Sequence, residues 1–333
     1  MTDSLGPQPS LTVVLAVDTQ RARCERALES VLRQSPIAQM EVLLLDIGRQ
    51  QPPLAGSDHP AVRTFHLPKG LEYGTVMVFA VAHARAPVVA MLEEHAYAQP
   101  GWAAALLRAH EAPWAAVGPQ VGTDAKLGRH DLIELVSSGP WSVPAQRGEA
   151  RILRWQNVAY KRDVLLRQGA RLGDLFCAEG TFFQLLRAQG ERLYVEPEAR
   201  IIHSHEMHLA AFLLGNTYSS RLTAARRARL LALSPLQRLL RAANALLTPL
   251  RSLWQLRRRI LAMPAGPERA HKLETLRRNL GTVWAYYCIY AGSAILGTLF
   301  GEGQCARRFL DYELNGQRDF SPPLYEETHR DAG

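Results

Sequence analysis

The chain has 333 residues, 47% of them hydrophobic and 21% charged, which excludes a disordered protein and leaves length for one large domain or two smaller ones. Its formal net charge is +8, yet residues 221–278 alone carry 14 Lys or Arg against Glu268 and Glu274, so the rest of the chain is mildly acidic. A basic segment on an acidic body points to an anionic surface as partner, and a membrane is expected rather than a nucleic acid, because the basic run lacks aromatics interleaved for base stacking.

Taken in order, Leu11 to Val17 predicts a first strand and Arg21 to Gln34 a helix with Ala27 and Val31 on its apolar face. Glu41 to Asp46 predicts a second strand ending in a carboxylate, and Val62 to Leu67 a third. Leu71 to Arg85 has helical spacing through Val76, Phe79, Ala80 and His83, and Trp114 to Val121 is a further strand. Strands alternating with helices of roughly 10–15 residues mean βαβ units, hence an α/β fold with a largely parallel sheet. The four cysteines (Cys24, Cys177, Cys288, Cys305) are scattered without metal or disulfide spacing, and residues 1–9 carry no secretory signal pattern. Both fit a reducing, cytoplasmic compartment.

One stretch carries the chemistry. Pro87 to Leu92 is a short apolar run suited to a buried strand, and it ends abruptly in Glu93, Glu94 and His95 before a Gln-Pro-Gly-Trp turn and the helical pattern of Trp102 to His110. Open α/β sheets bind ligands at the carboxyl ends of their strands. Carboxylate and imidazole groups placed there suit a hard or borderline divalent cation. The plainer alternative is that Glu93 and Glu94 only solvate the strand end.

The order of these pieces resembles a family 2 glycosyltransferase with the GT-A fold, over roughly residues 11–205. The resemblance rests on Arg-Ala-Leu-Glu-Ser-Val-Leu-Arg-Gln, Glu-Val-Leu-Leu-Leu-Asp, Ala-Pro-Val-Val-Ala-Met-Leu-Glu-Glu-His and Gln-Pro-Gly-Trp. The second half agrees: Gln156 to Arg162 is similar to the family's Asn-x-Ala-x-Arg-Arg segment, Ala178 to Gly190 resembles its Glu-Asp helix, and Glu196 to His203 its Pro-Glu-Ala-x-x-x-His strand.

The resemblance implies a nucleotide-sugar donor, an inverting displacement at the anomeric carbon, and a divalent cation, Mn²⁺ or Mg²⁺. It places Asp46 against the nucleotide, Glu93 and Glu94 at the donor diphosphate, Glu94, His95 and His203 on the metal, and Glu179 as catalytic base. Asp174 is the next carboxylate in line. Two positions depart from the pattern: His95 stands where a second Asp is expected, and Gly180 stands where the catalytic Asp of Glu-Asp belongs. Imidazole at the first position suits Mn²⁺ better than Mg²⁺. His205 and His208 lie close behind His203, but residues two apart on a strand point to opposite faces, so at most one of His203 and His205 serves.

From Met207 onward the character changes, and the chain divides into a GT-A domain over 1–206 and a helical, basic region over 207–333. Leu209 to Leu214, Leu230 to Leu240 and Leu246 to Ile260 are Leu/Ala/Arg-rich at helical spacing, interrupted by Pro235 and Pro249. Apolar faces flanked by Arg suit a helix lying in a headgroup layer. Residues 279–301 hold 23 residues without a charge, long enough to span a bilayer but only mildly apolar, so a re-entrant or buried helix beside the membrane is expected. The expected activity is transfer of a sugar to a lipid-linked or polysaccharide acceptor at the cytoplasmic membrane face. The alternative is an inactive relative that binds a sugar, nucleotide or partner, motivated by the two departures.

Overall fold

The computed structural model describes residues 8–48, 52–123, 131–137, 146–154, 156–203 and 209–315. His205, His208 and the expected boundary at 206/207 lie outside these residues.

A nine-stranded mixed sheet forms the centre: β1 (Leu11–Val17), β2 (Met40–Asp46), β3 (Val62–His66), β4 (Val88–Met91), β5 (Ala96–Ala98), β6 (Ala116–Thr123), β7 (Gly148–Ala150), β8 (Ala159–Lys161) and β9 (Leu193–His203). Its order is β3-β2-β1-β4-β8-β6-β9-β5, with β7 added on β9. The first four strands pair in parallel, joined by α1 (Arg21–Leu32) and α2 (Tyr73–His83), as the alternating pattern predicts. β8 then inserts antiparallel between β4 and β6, which lays the 156–161 segment directly beside the strand that ends at Glu93.

Both faces of the sheet are covered, and the period-2 alternation of β1 divides it between two cores. Leu11, Val13, Leu15 and Val17 pack toward α1 and α3 (Trp102–His110), whereas Val14 packs toward α2 with Leu43 and Leu45 of β2. Burial on both faces is why β1 and β2 read as near-continuous apolar runs.

After β8 come α5 (Arg162–Leu166), α6 (Leu172–Phe176) and α7 (Glu179–Ala188); a short α4 (Asp131–Ser137) precedes β7. The C-terminal region is entirely helical over the described residues: α8 (Leu209–Leu230), α9 (Pro235–Ala245), α10 (Thr248–Ala262), α11 (Pro267–Arg278), α12 (Leu280–Phe300) and α13 (Cys305–Asn315). Pro235 and Pro249 sit in the first turns of α9 and α10, where a missing N–H costs nothing, so they begin helices rather than break them. A capping box between Ser234 and Gln237 fixes the start of α9.

The helical region is fastened to the sheet domain by α8 and α13. Buried Arg226 of α8 pairs with Glu72 at 2.5 Å, Asp174 at 2.7 Å and Glu302 at 3.6 Å. Asp311 and Asp18 both accept from Asn315 Nδ2, and Asp18 lies just after β1, so the end of α13 reaches the carboxyl edge of the sheet. Helix α12 packs along α8, with Gly297 against the backbone of Arg221; Gly301, at φ 79°, terminates the helix rather than extending a packing motif.

Candidate active site

Strand β4 delivers Glu93, Glu94 and His95 to the carboxyl edge of the sheet, and the end of β9, which lies across from them through β5, delivers His203. One ligand atom each from Glu93, His95 and His203 lie within 4.8 Å of one another. The His95 and His203 rings meet edge to face at 4.5 Å, and His203 Nε2 stands 3.0 Å from Glu93 Oε2. One carboxylate and two imidazoles make a donor set that fits a borderline divalent cation.

Glu94 is not in this trio. Its carboxylate turns inward, pairs with buried Arg23 of α1, and lies 3.1 Å from His95 Nδ1. The expected ligand set of Glu94, His95 and His203 therefore changes by one residue, with Glu93 in place of Glu94. The reason is local: the chain turns between β4 and β5, with the Ala96 N–H bonded to the Glu93 carbonyl at 2.9 Å, and in that turn Glu94 is drawn inward by buried Arg23 while Glu93 and His95 face the cleft. By engaging Nδ1, Glu94 leaves Nε2 of His95 for a ligand and fixes the ring. Asn157 does the same for Glu93: its Oδ1 accepts from the Glu93 N–H at 3.0 Å and its Nδ2 donates to Glu93 Oε2 at 2.5 Å.

The electrostatics follow from this packing. Burial raises the Glu94 carboxyl, but the charges of His95 and Arg23 outweigh it and hold the group below its ordinary value. Burial lowers His95, and Glu94 and Glu93 reverse that, leaving it raised. His203 is pushed well down by burial and by His95, so it stands as a neutral imidazole, the form that ligates metals.

The trio opens onto a cleft of ≈ 400 Å³ between the sheet domain and the helical region. Glu179, at the start of α7, lines it but is buried; its Oε2 accepts from the Gln156 N–H at 2.9 Å and its Oε1 from the Tyr160 hydroxyl at 3.1 Å. Gln156 adopts φ 73° to make that contact. Burial dominates over these two donors and pushes Glu179 up to about 8. At neutral pH it holds a proton, which it must lose before it can accept one from an acceptor hydroxyl. A side chain at Gly180 would enter open space, with Arg227 its nearest neighbour at 3.9 Å, so the carboxylate missing there is not replaced by an adjacent residue of α7. Asp174 is bound by Arg226 and Arg229 and does not line the cleft.

A residue-model of glycosyl transferase family 2 matches residues 13–164, the span that includes β1, β4 and the Asn157 segment. Residues 13–164 match a family 2 glycosyl transferase domain. No curated protein sequence matches this chain. Among solved structures, the mannosyltransferase PcManGT from Pyrobaculum calidifontis, in complex with GDP-Man and Mn²⁺, is 16% identical with a TM-score of 0.52, covering 86% of this chain and 87% of that one. The likeness shows the same GT-A fold. GalNAc-T7, crystallised with UDP, GalNAc and Mn²⁺, is 12% identical with a TM-score of 0.46; 60% of this chain aligns to 44% of that one, so the transferase spans less than half of its length.

Asp46 ends β2 as the family pattern implies, with its carboxylate held by Arg21 at 3.2 Å and by the Gly48 N–H at 3.1 Å. Three contributors to the transferase site are absent from the sequence expectations. Arg23 and Asn157 act through Glu94 and Glu93. Glu313 of α13 lines the cleft, has no hydrogen bond or ion pair among the described residues, and is pushed up to about 8 by burial and the nearby Glu93 charge. Asn157 was within reach of the sequence, since it occupies the Asn of the acceptor-side motif; Arg23 and Glu313 carry no local signal.

Proposed function

We propose that this chain transfers a sugar from a nucleotide-sugar donor to an acceptor hydroxyl in the cleft, with inversion at the anomeric carbon. The observation that carries the reading is the convergence of Glu93, His95 and His203 at the mouth of that cleft, on a family 2 domain. GDP-Man and Mn²⁺ accompany the neighbour of the same fold, which supports a nucleotide-sugar donor and Mn²⁺ here, with Mg²⁺ the weaker fit to two imidazoles.

In this reading Glu93, His95 and His203 hold the cation. When bound, it offsets the negative charge that develops on the departing nucleoside diphosphate. Glu94 and Asn157 keep two of its ligands in place, and Asp46 with Arg21 orients the nucleoside at the end of β2. The helices covering the cleft exclude water, which favours transfer over hydrolysis. The acceptor's proton passes to a cleft carboxylate in its ionised form, a form that Glu179 and Glu313 both reach only as the pH approaches about 8. Glu179→Gln and Glu313→Gln, each measured for turnover and nucleotide affinity, identify which: the base variant loses roughly 10²–10⁴-fold in turnover with affinity intact.

The acceptor we propose is lipid-linked or a growing polysaccharide, met at the cytoplasmic face of a membrane. The exposed leucines of α9 and the uncharged α12 support this. Leu236, Leu239 and Leu240 are 65%, 58% and 62% exposed, and α12 is long and apolar enough to cross a bilayer while packed along α8 and α9. That packing favours a helix lying beside the membrane over a free span.

The test is calorimetric titration of UDP and GDP with and without Mn²⁺, followed by product analysis with the matching nucleotide sugars. Mn²⁺-dependent binding with turnover supports the reading. Binding without transfer or donor hydrolysis would establish the inactive relative instead, a reading that Gly180 and the proton-bearing Glu179 favour.

A further inference from the structure

Helix α8 is packed on several sides, yet one of its stripes is polar. Asn216, Ser219, Ser220, Thr223 and Arg227 fall at i, i+3, i+4, i+7 and i+11, so they share one face, and all five line the cleft rather than solvent. Across from them α12 contributes Tyr286 and Tyr290. Between the acidic end of the cleft at Glu93 and the cationic end at Arg227, this wall is uncharged and dense in hydroxyls.

Its groups are partly committed and partly not. Tyr286 donates to Asn216 Oδ1 at 3.2 Å, which fixes both, and Thr223 donates to the Cys177 carbonyl at 3.0 Å. Ser220 is different. It is 2% exposed, and its hydroxyl has no hydrogen-bond partner among the described residues. A helical Ser or Thr ordinarily bonds back to the carbonyl four residues earlier, and Thr217 of the same helix does so, to Leu213 at 3.0 Å. A buried polar group left unpaired is destabilising, and this one sits in the wall of a cavity large enough for a ligand.

We propose that the α8–α12 wall is the acceptor subsite, and that it takes a neutral, hydroxyl-rich group, the terminal saccharide of the acceptor, with Ser220 completing its hydrogen bond to a sugar hydroxyl. The proposal rests on the transferase reading for the term "acceptor", but not for the binding itself. A neutral polyol fits because the wall supplies hydroxyls and an amide at helical spacing, with the half-exposed Tyr290 ring offering an apolar face for the C–H side of a pyranose. No charged side chain of α8 or α12 lines the cleft between Asn216 and Thr223 among the described residues, although Arg154 and Arg227 line it elsewhere.

The probes are octyl β-glucoside, octyl β-galactoside and octyl α-mannoside, below their micellar concentrations, with binding followed by saturation-transfer NMR and transfer by mass spectrometry. Octane-1,2-diol, which shares the chain without the sugar ring, controls for alkyl binding. Ser220→Ala removes the hydroxyl without adding volume to a buried site, and Tyr290→Phe removes a second hydroxyl at the open side. Each is expected to weaken glycoside binding, and to raise the acceptor KM, by about five- to tenfold, the worth of one neutral hydrogen bond. UDP or GDP affinity with Mn²⁺ and the melting temperature should match the parent. Glycoside binding or acceptor KM unchanged in both folded variants would overturn the subsite, as would a parent that binds none of the glycosides better than the diol. Ser220-dependent binding by a protein that neither transfers nor hydrolyses any donor would uphold the subsite and remove the transferase reading instead.

Discussion

Arg23 and Glu94 form an ion pair in which both side chains are nearly sealed from solvent, 9% and 5% exposed, one from the first helix and one from the end of the fourth strand. The pair takes the carboxylate that stands between Glu93 and His95 out of competition for a cation and spends it on the His95 ring. Arg23 meets the carboxylate through a single nitrogen, Nη2, and its guanidinium keeps its charge on burial, which a Lys ammonium does less readily.

The first prediction separates ligand from support. Glu93→Ala and His203→Ala should each abolish Mn²⁺ binding measured by calorimetry or by Mn²⁺ paramagnetic resonance. Glu94→Gln should keep it but weaken it, by about 10- to 100-fold, the usual effect of removing the partner of a metal-bound histidine. If Glu94→Gln is as damaging as Glu93→Ala, the two carboxylates share the ion and the trio is wrong.

This site shows what the sequence makes legible and what it does not. The strand ending in Glu-Glu-His, its place at the carboxyl edge of a parallel sheet, and the return of His203 on a distant strand all follow from period and motif order. Which of two adjacent glutamates faces the cleft depends on the turn that follows Met91, and on an arginine 71 positions away in the chain. Neither has a local signature. Glu313 and the polar wall of α8 were hidden for a second reason: a run of Asn, Ser and Thr on a helix looks like a solvated face until the tertiary packing turns it inward.

The second prediction concerns Glu179 and pH. Its carboxyl rises from 4.5 to about 8 in the folded chain, so the native state keeps a proton that the unfolded chain releases. A group whose pKa is raised on folding contributes fully below its unfolded value and loses that contribution as pH climbs toward the folded one. Between about pH 4.5 and 8 this group alone should erode stability by at most ~1.4 kcal/mol per unit. Glu179→Gln cannot titrate. Chemical denaturation of parent and variant across pH 5 to 8.5 should therefore show their difference shifting steadily in the variant's favour. A difference independent of pH would mean that Glu179 is ionised in its pocket.

A third prediction tests how tightly the helical region is built. An added Cβ at Gly297 would meet the Arg221 carbonyl oxygen at 2.1 Å, a backbone atom that cannot swing aside. Gly297→Ala must push α12 away from α8, at a cost of about 1–3 kcal/mol for overpacking. Gly281→Ala, where nothing lies within 4 Å, is the matched control and should be neutral or slightly stabilising. Equal melting temperatures for the two variants would show that α12 is not seated on α8.

The fourth prediction concerns the membrane, where two forces act differently. Arg241, Arg251, Arg257 and Arg258 are exposed on α9 and α10 and should each gain about 1 kcal/mol near an anionic surface. Salt removes that contribution, since the screening length shrinks from about 10 Å at 0.1 M to about 3 Å at 1 M. The leucines of α9 add an apolar contribution that salt leaves intact, up to about 2 kcal/mol for each side chain fully buried. Truncation after Arg278 is a poor probe, because it also removes Tyr286, Tyr290 and Glu313 from the cleft. Replacing Leu236, Leu239 and Leu240 together by Gln changes only outward side chains of a helix held by its own capping box. In flotation with vesicles of phosphatidylglycerol and phosphatidylcholine, the parent should stay bound at 1 M salt, whereas the triple variant should bind at 0.05 M and be released at 1 M. A parent that fails to float with these vesicles even at low salt would refute membrane association, and would leave the exposed leucines to be explained by contact with another protein surface.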